Sequence, residues 1–501
     1  MESMKSNNAK HRPERASSAI ISLVFMLINT SFSPKINWQS DLLEAFTAYL
    51  DERVPALMGR YNIPGASIAL VRGGELVWSN AYGYANLEAK RPMTVYSVCR
   101  AESISKSVTA WGVMKLVEQG SIELDVPVQQ YLRDWHLPAS EFDERAVTAR
   151  MLLSASAGMP LGEIGRTAEY APRSEMPSLR DYLAGEARLI QQPGSGYGYS
   201  NVGYNLLELL VEEVTGRDFA EYMESEVLHP LGMTAASFVW DESFAPLVPN
   251  GHEWNGAPVS PYVYPARASG GLFASVEDIA RFVSGGMTGR YYTDRGVLSQ
   301  DSLRQMYAPQ VEVSGVYRFV SESYGFGHFI ETIPNGQKAV WHGGQGHGWM
   351  THFHLIPESG DGIVILTNSQ RSWPLIAELL SDWMRWNGLG SVKFSRIVCA
   401  TTVSWIITGL VALLVLTLTV HLAGDVLSGT LRFAPFVAES MRARLFKAAM
   451  GISVMAFLGW RTSQPYLFET SIFPTSAGWA GLSFLALSMV LIISALFSRM
   501  D

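Results

Sequence analysis

Charge is scarce in this sequence. Asp, Glu, Lys and Arg make up 17% of its 501 residues, against about a quarter in an ordinary soluble domain. A chain so poor in charge, with a mean hydropathy of +0.10, is expected to hold membrane-embedded sequence. Basic residues are in deficit too. The net charge of −8 leaves no basic footprint for nucleic acid. Cysteine occurs only at Cys99 and Cys399, the second inside a long apolar run. A bond between them would join an aqueous region to a membrane helix, so no disulfide is expected. Two cysteines do not define a redox compartment. Internal repeats and low-complexity tracts are absent from the sequence.

What is present falls into three stretches. Lys5, Lys10, Arg12 and Arg15 precede an apolar run from Ala19 to Ile28, the order of an export signal. The run is short for a hydrocarbon core of about 30 Å. Ser31-Phe32-Ser33 has small residues at cleavage spacing but Pro34 follows directly, so a cleaved signal and an uncleaved anchor both stand for residues 1–33. Ser40 to Asn387 reads as one α/β unit. Ser40–Arg60 has helical spacing, with Leu42, Leu43, Phe46, Leu50 and Val54 on one face. Ala66–Arg72 and Glu75–Tyr84 flank Gly73-Gly74 and predict a hairpin. Ser105–Glu118 and Val202–Val214 predict helices, the latter stopping at Gly216. Trp349–Ile356 and Gly362–Asn368 predict strands around a Pro357–Asp361 turn, and Trp373–Trp386 a closing helix. Strands at both ends with helices between predict one sheet built from the two ends of the unit.

After Gly390 the composition changes. Ile397–Val420 and Ala477–Phe497 are nearly uncharged and long enough to span a bilayer. Leu445–Trp460 is shorter, carries Lys447, and is a weaker third span. Arg432, Arg442 and Arg444 lie between Val420 and Leu445, with Lys447 close behind at the start of the weaker run, and Arg499 follows the last run, which predicts those segments inside the cell. Everything before Ile397 is then outside, in agreement with the N-terminal signal.

Three short elements carry chemistry. Ser103-Ile104-Ser105-Lys106 is the only S-x-x-K in the chain. A serine hydroxyl needs a nearby base. Positions three apart on a helix share a face, which brings the Lys106 amine to the Ser103 oxygen. Burial and a helix N-terminus lower a lysine pKa and let it accept a proton. Tyr199-Ser200-Asn201 follows a glycine-rich turn and offers a phenol for proton relay and an amide for a substrate amide. His342-Gly343-Gly344-Gln345 follows a β-like run, Lys338–Trp341. Its glycines allow a substrate to lie along a strand edge, and the backbone N–H groups of Gln345 and Ser103 are candidates for an oxyanion hole.

S-x-x-K, then Y-x-N, then [K/H]-x-G in this order resembles the serine β-lactamase and penicillin-binding-protein superfamily. Thr148–Leu153, Leu228–Met233 (LHPLGM) and Ala268–Phe282 (ASGGLFASVEDIARF) resemble segments of its class C-like, esterase and D-peptidase branch. The resemblance covers roughly Ser40 to Asn387. It implies an antiparallel sheet flanked by helices plus an all-helical domain, followed here by a bundle of about three transmembrane helices. It further implies acylation of Ser103, acid–base work shared by Lys106 and Tyr199, and substrate contacts from Asn201, His342, Gly344 and Gln345. Which of Lys106 and Tyr199 takes the serine proton stays open. Two departures stand out. Ser154-Ala155-Ser156-Ala157-Gly158 replaces the usual x-H-T-S-G, and His342 stands where many relatives have lysine. A neutral imidazole holds a carboxylate less firmly than an ammonium, which favours a peptidase or esterase over a β-lactamase.

A signal, a β-lactamase-like domain and three spans also resemble the periplasmic peptidases that mature colibactin- and xenocoumacin-type prodrugs by removing an N-acylated D-asparagine cap. The expected organisation is therefore a signal or anchor at 1–33, an extracytoplasmic serine hydrolase at 34–392 and a transmembrane domain at 393–501. The protein is expected in a bacterial cytoplasmic membrane as a multi-pass chain whose catalytic domain faces the periplasm. Its expected substrate is a small peptide or ester, favouring D-amino-acid peptides. The bilayer is the one other partner implied, with no nucleic acid, cofactor or metal. A carboxylesterase or weak β-lactamase, and an acylated cell-wall sensor with little turnover, are the alternatives. His342, His347, His352 and His354 cluster in sequence, and His352 and His354 share a strand face as zinc ligands could. No H-E-x-x-H or spaced carboxylate accompanies them, so a metal role is disfavoured.

Overall fold

Two glycines make the first turn. Gly73 and Gly74 both have positive φ, at 62° and 83°, the backbone a two-residue hairpin requires. They join β1 (Gly65–Arg72) to β2 (Glu75–Asn86) as the sequence predicts. The computed structural model describes residues 43–164, 168–435, 441–462 and 472–499. The N-terminal signal and the first residues of the helix predicted from Ser40 lie outside them. That helix, α1, is described as Leu43–Tyr61.

β1 and β2 continue into β3 (Arg91–Pro92), and six strands from the far end of the unit complete the sheet. These are β4 (Val311–Glu312), β5 (Ser323–Tyr324), β6 (Phe329–Thr332), β7 (Lys338–Gln345), β8 (Met350–Ile356) and β9 (Asp361–Thr367). The order is β3-β2-β1-β9-β8-β7-β6-β5-β4, antiparallel between neighbours. β1 is joined to β9 by Ala66↔Thr367 through Val71↔Gly362. Both ends of the unit thus contribute to one sheet. β8 and most of β9 are buried on both faces, which accounts for their near-continuous apolar runs.

Between the two sets of strands lie the helices that form the site. α2 (Ile104–Glu118) is buried on nearly every side, twelve of its residues lying out of solvent, as a central helix does. Its hydroxyls tie the surrounding loops to it. Ser105 Oγ donates to the Glu102 carbonyl at 2.6 Å and accepts from Leu272 N at 3.0 Å, and Thr109 Oγ1 donates to Ala268 O at 2.9 Å. α3 (Asn201–Thr215) starts at Ser200, whose Oγ accepts from Gly203 N, and stops at left-handed Gly216. α4 (Val276–Gly285) begins with a capping box of Ser275 and Asp278. α5 (Trp373–Trp386) closes the unit over the sheet.

Three further helices are long and apolar enough to cross a membrane: α6 (Arg396–Leu427), α7 (Met441–Thr462) and α8 (Ala477–Ala495). α7 is longer than the weak run read from sequence, because its first turn carries the basic residues that interrupt the hydropathy. Small residues let α7 and α8 approach: Ser488 Oγ donates to Gly451 O at 2.6 Å. The outward surface of α6 is apolar, with Leu410, Leu416 and Val420 each about 60% exposed, a face that water does not favour.

Candidate active site

Ser103 stands at the N-terminal end of α2, and Lys106 follows it on the first turn. The Lys106 side chain is fully buried. Its Nζ lies 3.3 Å from Ser103 Oγ, 2.7 Å from Asn201 Oδ1 and 2.7 Å from the Ser269 carbonyl. An ammonium has three protons to donate, and three acceptors surround it. Nζ also sits over the faces of Tyr199 and Tyr204, 5.0 and 5.7 Å from the ring centres. Burial brings the lysine pKa down to about 7, with the negative charge of Glu102 pulling the other way. Near neutral pH this amine therefore exists in good part as a free base beside the serine hydroxyl.

The acceptors are held from further out. Asn201 is the first residue of α3, fixed by the Ser200 cap. Ser269 belongs to the loop between Arg267 and Leu272. Glu208 of α3, buried itself, accepts from the backbone N–H of Arg267 and Ala268 and from the Arg267 guanidinium. That clamp aims the Ser269 carbonyl at Lys106.

Glu102, just before Ser103, has φ of +51°, a strained backbone for a non-glycine residue. Its carboxylate overcomes the strain with three bonds: from Arg100 Nε at 2.7 Å, from Tyr262 OH at 3.0 Å and from Tyr264 OH at 3.1 Å. Arg100 is fully buried, with its guanidinium 3.9 Å from the Tyr262 ring centre. This network anchors the backbone that carries Ser103.

The predicted strand ending at Trp341 runs on to Gln345. On one side β7 pairs with β8 from Val340 to Gln345, with Gly343 opposite His352 and Gln345 opposite Met350. On the other side its pairing with β6 ends at Trp341↔Phe329. His342–Gln345 therefore presents an edge unpaired by β6. Gly344 brings that strand against Ala101 and Glu102, where a Cβ would overlap Thr351 and the Ala101 carbonyl. Its role is clearance, and the residues around it line the cavity. His342 is buried, with Nε2 3.2 Å from Tyr324 OH and Nδ1 2.9 Å from Gly343 O. Burial and the nearby Lys106 hold it well below the usual histidine range, so it is neutral. Gln345 Oε1 accepts from Trp373 Nε1 at 2.9 Å.

A cavity of about 580 Å³ opens on this group, the size of a small-molecule site. Ser103, Tyr199, Asn201, His342 and Gln345 all line it. Sequence reading did not find several other lining residues, Glu102, Ser269, Tyr264, Glu253 and Trp373, and it weighed His347, which also lines the cavity, only as a metal ligand. His347 is clasped by two carboxylates, Nδ1 2.8 Å from Glu169 and Nε2 2.9 Å from Glu253, and these raise its pKa. His352 and His354 do share a face, with ring nitrogens 3.3 Å apart. They are fully buried among aromatic rings. Among the described residues no three potential metal ligands converge.

The Beta-lactamase family model matches residues 50–379. The chain is 27% identical over 346 residues to a D-aminopeptidase of Gluconobacter oxydans (strain 621H), covering 68% of this chain and 62% of that protein. The match thus spans less than two thirds of that relative's length. It is 26% identical over 369 residues to esterase EstB of Burkholderia gladioli, covering 65% of this chain and 91% of that one. Among solved structures, the octameric penicillin-binding protein homologue from Pyrococcus abyssi is similar, with a TM-score of 0.57 and 29% identity over 67% of this chain and 77% of its own.

Proposed function

From the premise that the chain belongs to the Beta-lactamase family of serine hydrolases, we propose that it is a membrane-anchored peptidase or amidase that acts on D-amino-acid-containing peptides through an acyl-enzyme on Ser103. An exported N-acylated peptide or prodrug is a substrate of this kind. The observation that carries the reading is the buried Lys106 amine, 3.3 Å from Ser103 Oγ, its pKa brought down to about 7.

Ser103 Oγ attacks the substrate carbonyl carbon and its proton passes to neutral Lys106. The ammonium so formed meets Asn201 Oδ1 and the Ser269 carbonyl, acceptors already in place. The C–N bond breaks, and the leaving amine takes that proton from Lys106 directly or by way of Tyr199. Water then hydrolyses the Ser103 ester. The backbone N–H groups of Ser103 and Gln345 are suited to the oxyanion. Tyr199 is the alternative base, since it shares the cavity with Ser103. The similarity to a D-aminopeptidase supports the substrate class. The neutral, buried His342 argues against efficient β-lactam turnover. The esterase reading keeps its own support in the match to EstB.

The apolar faces of α6, α7 and α8 support membrane anchoring. Arg432, between α6 and α7, with Arg442 and Arg444 in the first turn of α7, supports a cytoplasmic position for that segment, with the catalytic unit in the periplasm. The decisive experiment offers the full chain N-acyl-D-amino-acid amides, D-Ala-D-Ala peptides, nitrocefin and short-chain esters. Turnover of the D-amides, lost in Ser103→Ala, is expected. Turnover of esters alone would favour the esterase, and labelling of Ser103 with no product release would favour the cell-wall sensor.

A further inference from the structure

The apolar wall of the cavity extends beyond the sheet. From Lys106 a chain of ring contacts leads away from the nucleophile: Tyr199 to Tyr317 at 5.3 Å between centres, Tyr317 to Phe329 at 5.5 Å, Phe329 to Trp341 at 4.4 Å, and Trp341 to Phe394 at 5.4 Å. Phe394 stands two residues before α6. Ile397, in the first turn of α6, and Ile472, just before α8, join Phe394 in lining the same cavity that Ser103 lines. All three are at least nine-tenths buried. The segment is fixed in place: Lys393 N donates to Glu331 at 2.8 Å and Arg396 donates to the Phe319 carbonyl at 3.2 Å. The cavity's polar lining, with Glu102, Glu253 and His347, is made instead by loops of the catalytic unit.

We propose that the membrane helices form one wall of the substrate site, and that the site takes a single-chain amphiphile. Its apolar tail lies along Trp341, Phe394, Ile397 and Ile472 while its scissile carbonyl reaches Ser103. The proposal rests on the reading of Ser103 as nucleophile and narrows its substrate to one bearing a long acyl or alkyl chain. Two facts commit the site to this occupant. The wall is aromatic and aliphatic without a charged side chain along the ring path, which suits hydrocarbon and not a second polar peptide arm. That wall also ends at the start of α6, which is long and apolar enough to cross a membrane. A tail held in lipid beside α6 would then have an apolar path into the cavity.

The test uses the full chain in phosphatidylethanolamine–phosphatidylglycerol vesicles, and methyl and dodecyl alkylphosphonofluoridates as probes. Ser103 Oγ forms the P–O bond, fluoride leaves and the proton goes to the neighbouring base, so labelling reads the site without a matched leaving group. Each buried methylene is worth roughly fourfold. With roughly three to four methylenes lodged against the wall, the dodecyl probe is expected to label wild type about 100-fold faster than the methyl probe. Ile397→Asn and Ile472→Asn should each cut that ratio about tenfold, and the milder Phe394→Leu about threefold. The methyl rate in the same sample serves as the reference, which removes differences in folded fraction. A ratio equal in wild type and all three variants would reflect partition into lipid alone and would overturn the tail site, as would a preference for methyl. Either result leaves Ser103 labelled and the hydrolase reading intact. No labelling by either probe would remove both.

Discussion

Lys106 Nζ lies 3.3 Å from Ser103 Oγ, one helical turn away and sealed from water. Only the neutral amine can take the serine proton. With its pKa brought down to about 7, kcat/KM is expected to rise with pH through an acid limb centred near that value. Lys106→Arg keeps a charge but cannot act as base at any working pH. It should lower kcat/KM by about 10³-fold and abolish the limb. A pH–rate profile from 5 to 9 for both proteins checks this. If Tyr199 is the base instead, the limb survives the substitution.

Glu102 acts on that same amine from the residue just before Ser103. Its negative charge favours protonated Lys106, so Glu102→Gln should move the acid limb to lower pH. The substitution also leaves Arg100 buried without its counter-charge, which is expected to cost about 3 kcal/mol of stability. Urea denaturation reads the second effect and the pH profile the first. A loss of stability with an unmoved limb would show that Glu102 only holds the loop.

Much of this was legible in the sequence, for local reasons. The Gly73-Gly74 turn, the stop at Gly216 and the Pro357–Asp361 turn are encoded in residues with special backbone freedom, and all appear in the fold. The Ser103–Lys106 contact follows from helix period alone. What was not legible is non-local or has no side-chain signature. Ser269 contributes a carbonyl, which every residue has. Glu102 reads as an ordinary acid until its left-handed backbone and its partners 160 and 162 residues away are seen. The extension of β7 to Gln345 runs against the low strand preference of glycine, and pairing with β8 overrides it. Phe394, Ile397 and Ile472 read simply as the start of membrane spans.

Gly344 is where the strand edge and the nucleophile loop touch. A methyl there would overlap Thr351 Oγ1 and the Ala101 carbonyl and crowd Glu102 Cβ. The backbone at Ala101 must then shift, and Ser103 with it. Gly344→Ala is expected to lower kcat about 100-fold, since displacement by about 1 Å has that effect, while costing about 1–3 kcal/mol of stability. Activity falling no further than folded fraction would rule out a positioning effect.

Orientation follows from charge. Alkaline phosphatase fused after Val392 should be active, and fused near Gly429, beyond α6, inactive. The reverse pattern would place the cavity on the cytoplasmic side and change the pool of substrates it meets.

His347 sets the behaviour at higher pH. Its ring bridges Glu169 and Glu253, and their hydrogen bonds and charges raise its pKa above the ordinary 6.5. A histidine whose folded pKa is raised contributes stability that is fully present below its unfolded pKa. That stability is lost as pH rises through the folded value. Its backbone N–H also donates to Tyr262 OH at 3.0 Å, and Tyr262 in turn holds Glu102. Deprotonation leaves two carboxylates facing one another across a neutral ring at the cavity wall. The thermal midpoint of wild type should therefore fall as pH rises above 6.5, and a descending limb should join the ascending one set by Lys106. His347→Gln removes the titrating group while keeping an amide donor for one of the carboxylates. It should flatten both the midpoint and the alkaline limb and leave the acid limb near 7. Calorimetry and pH–rate profiles on the two proteins decide it: an alkaline limb unchanged by the substitution would assign that limb to another group.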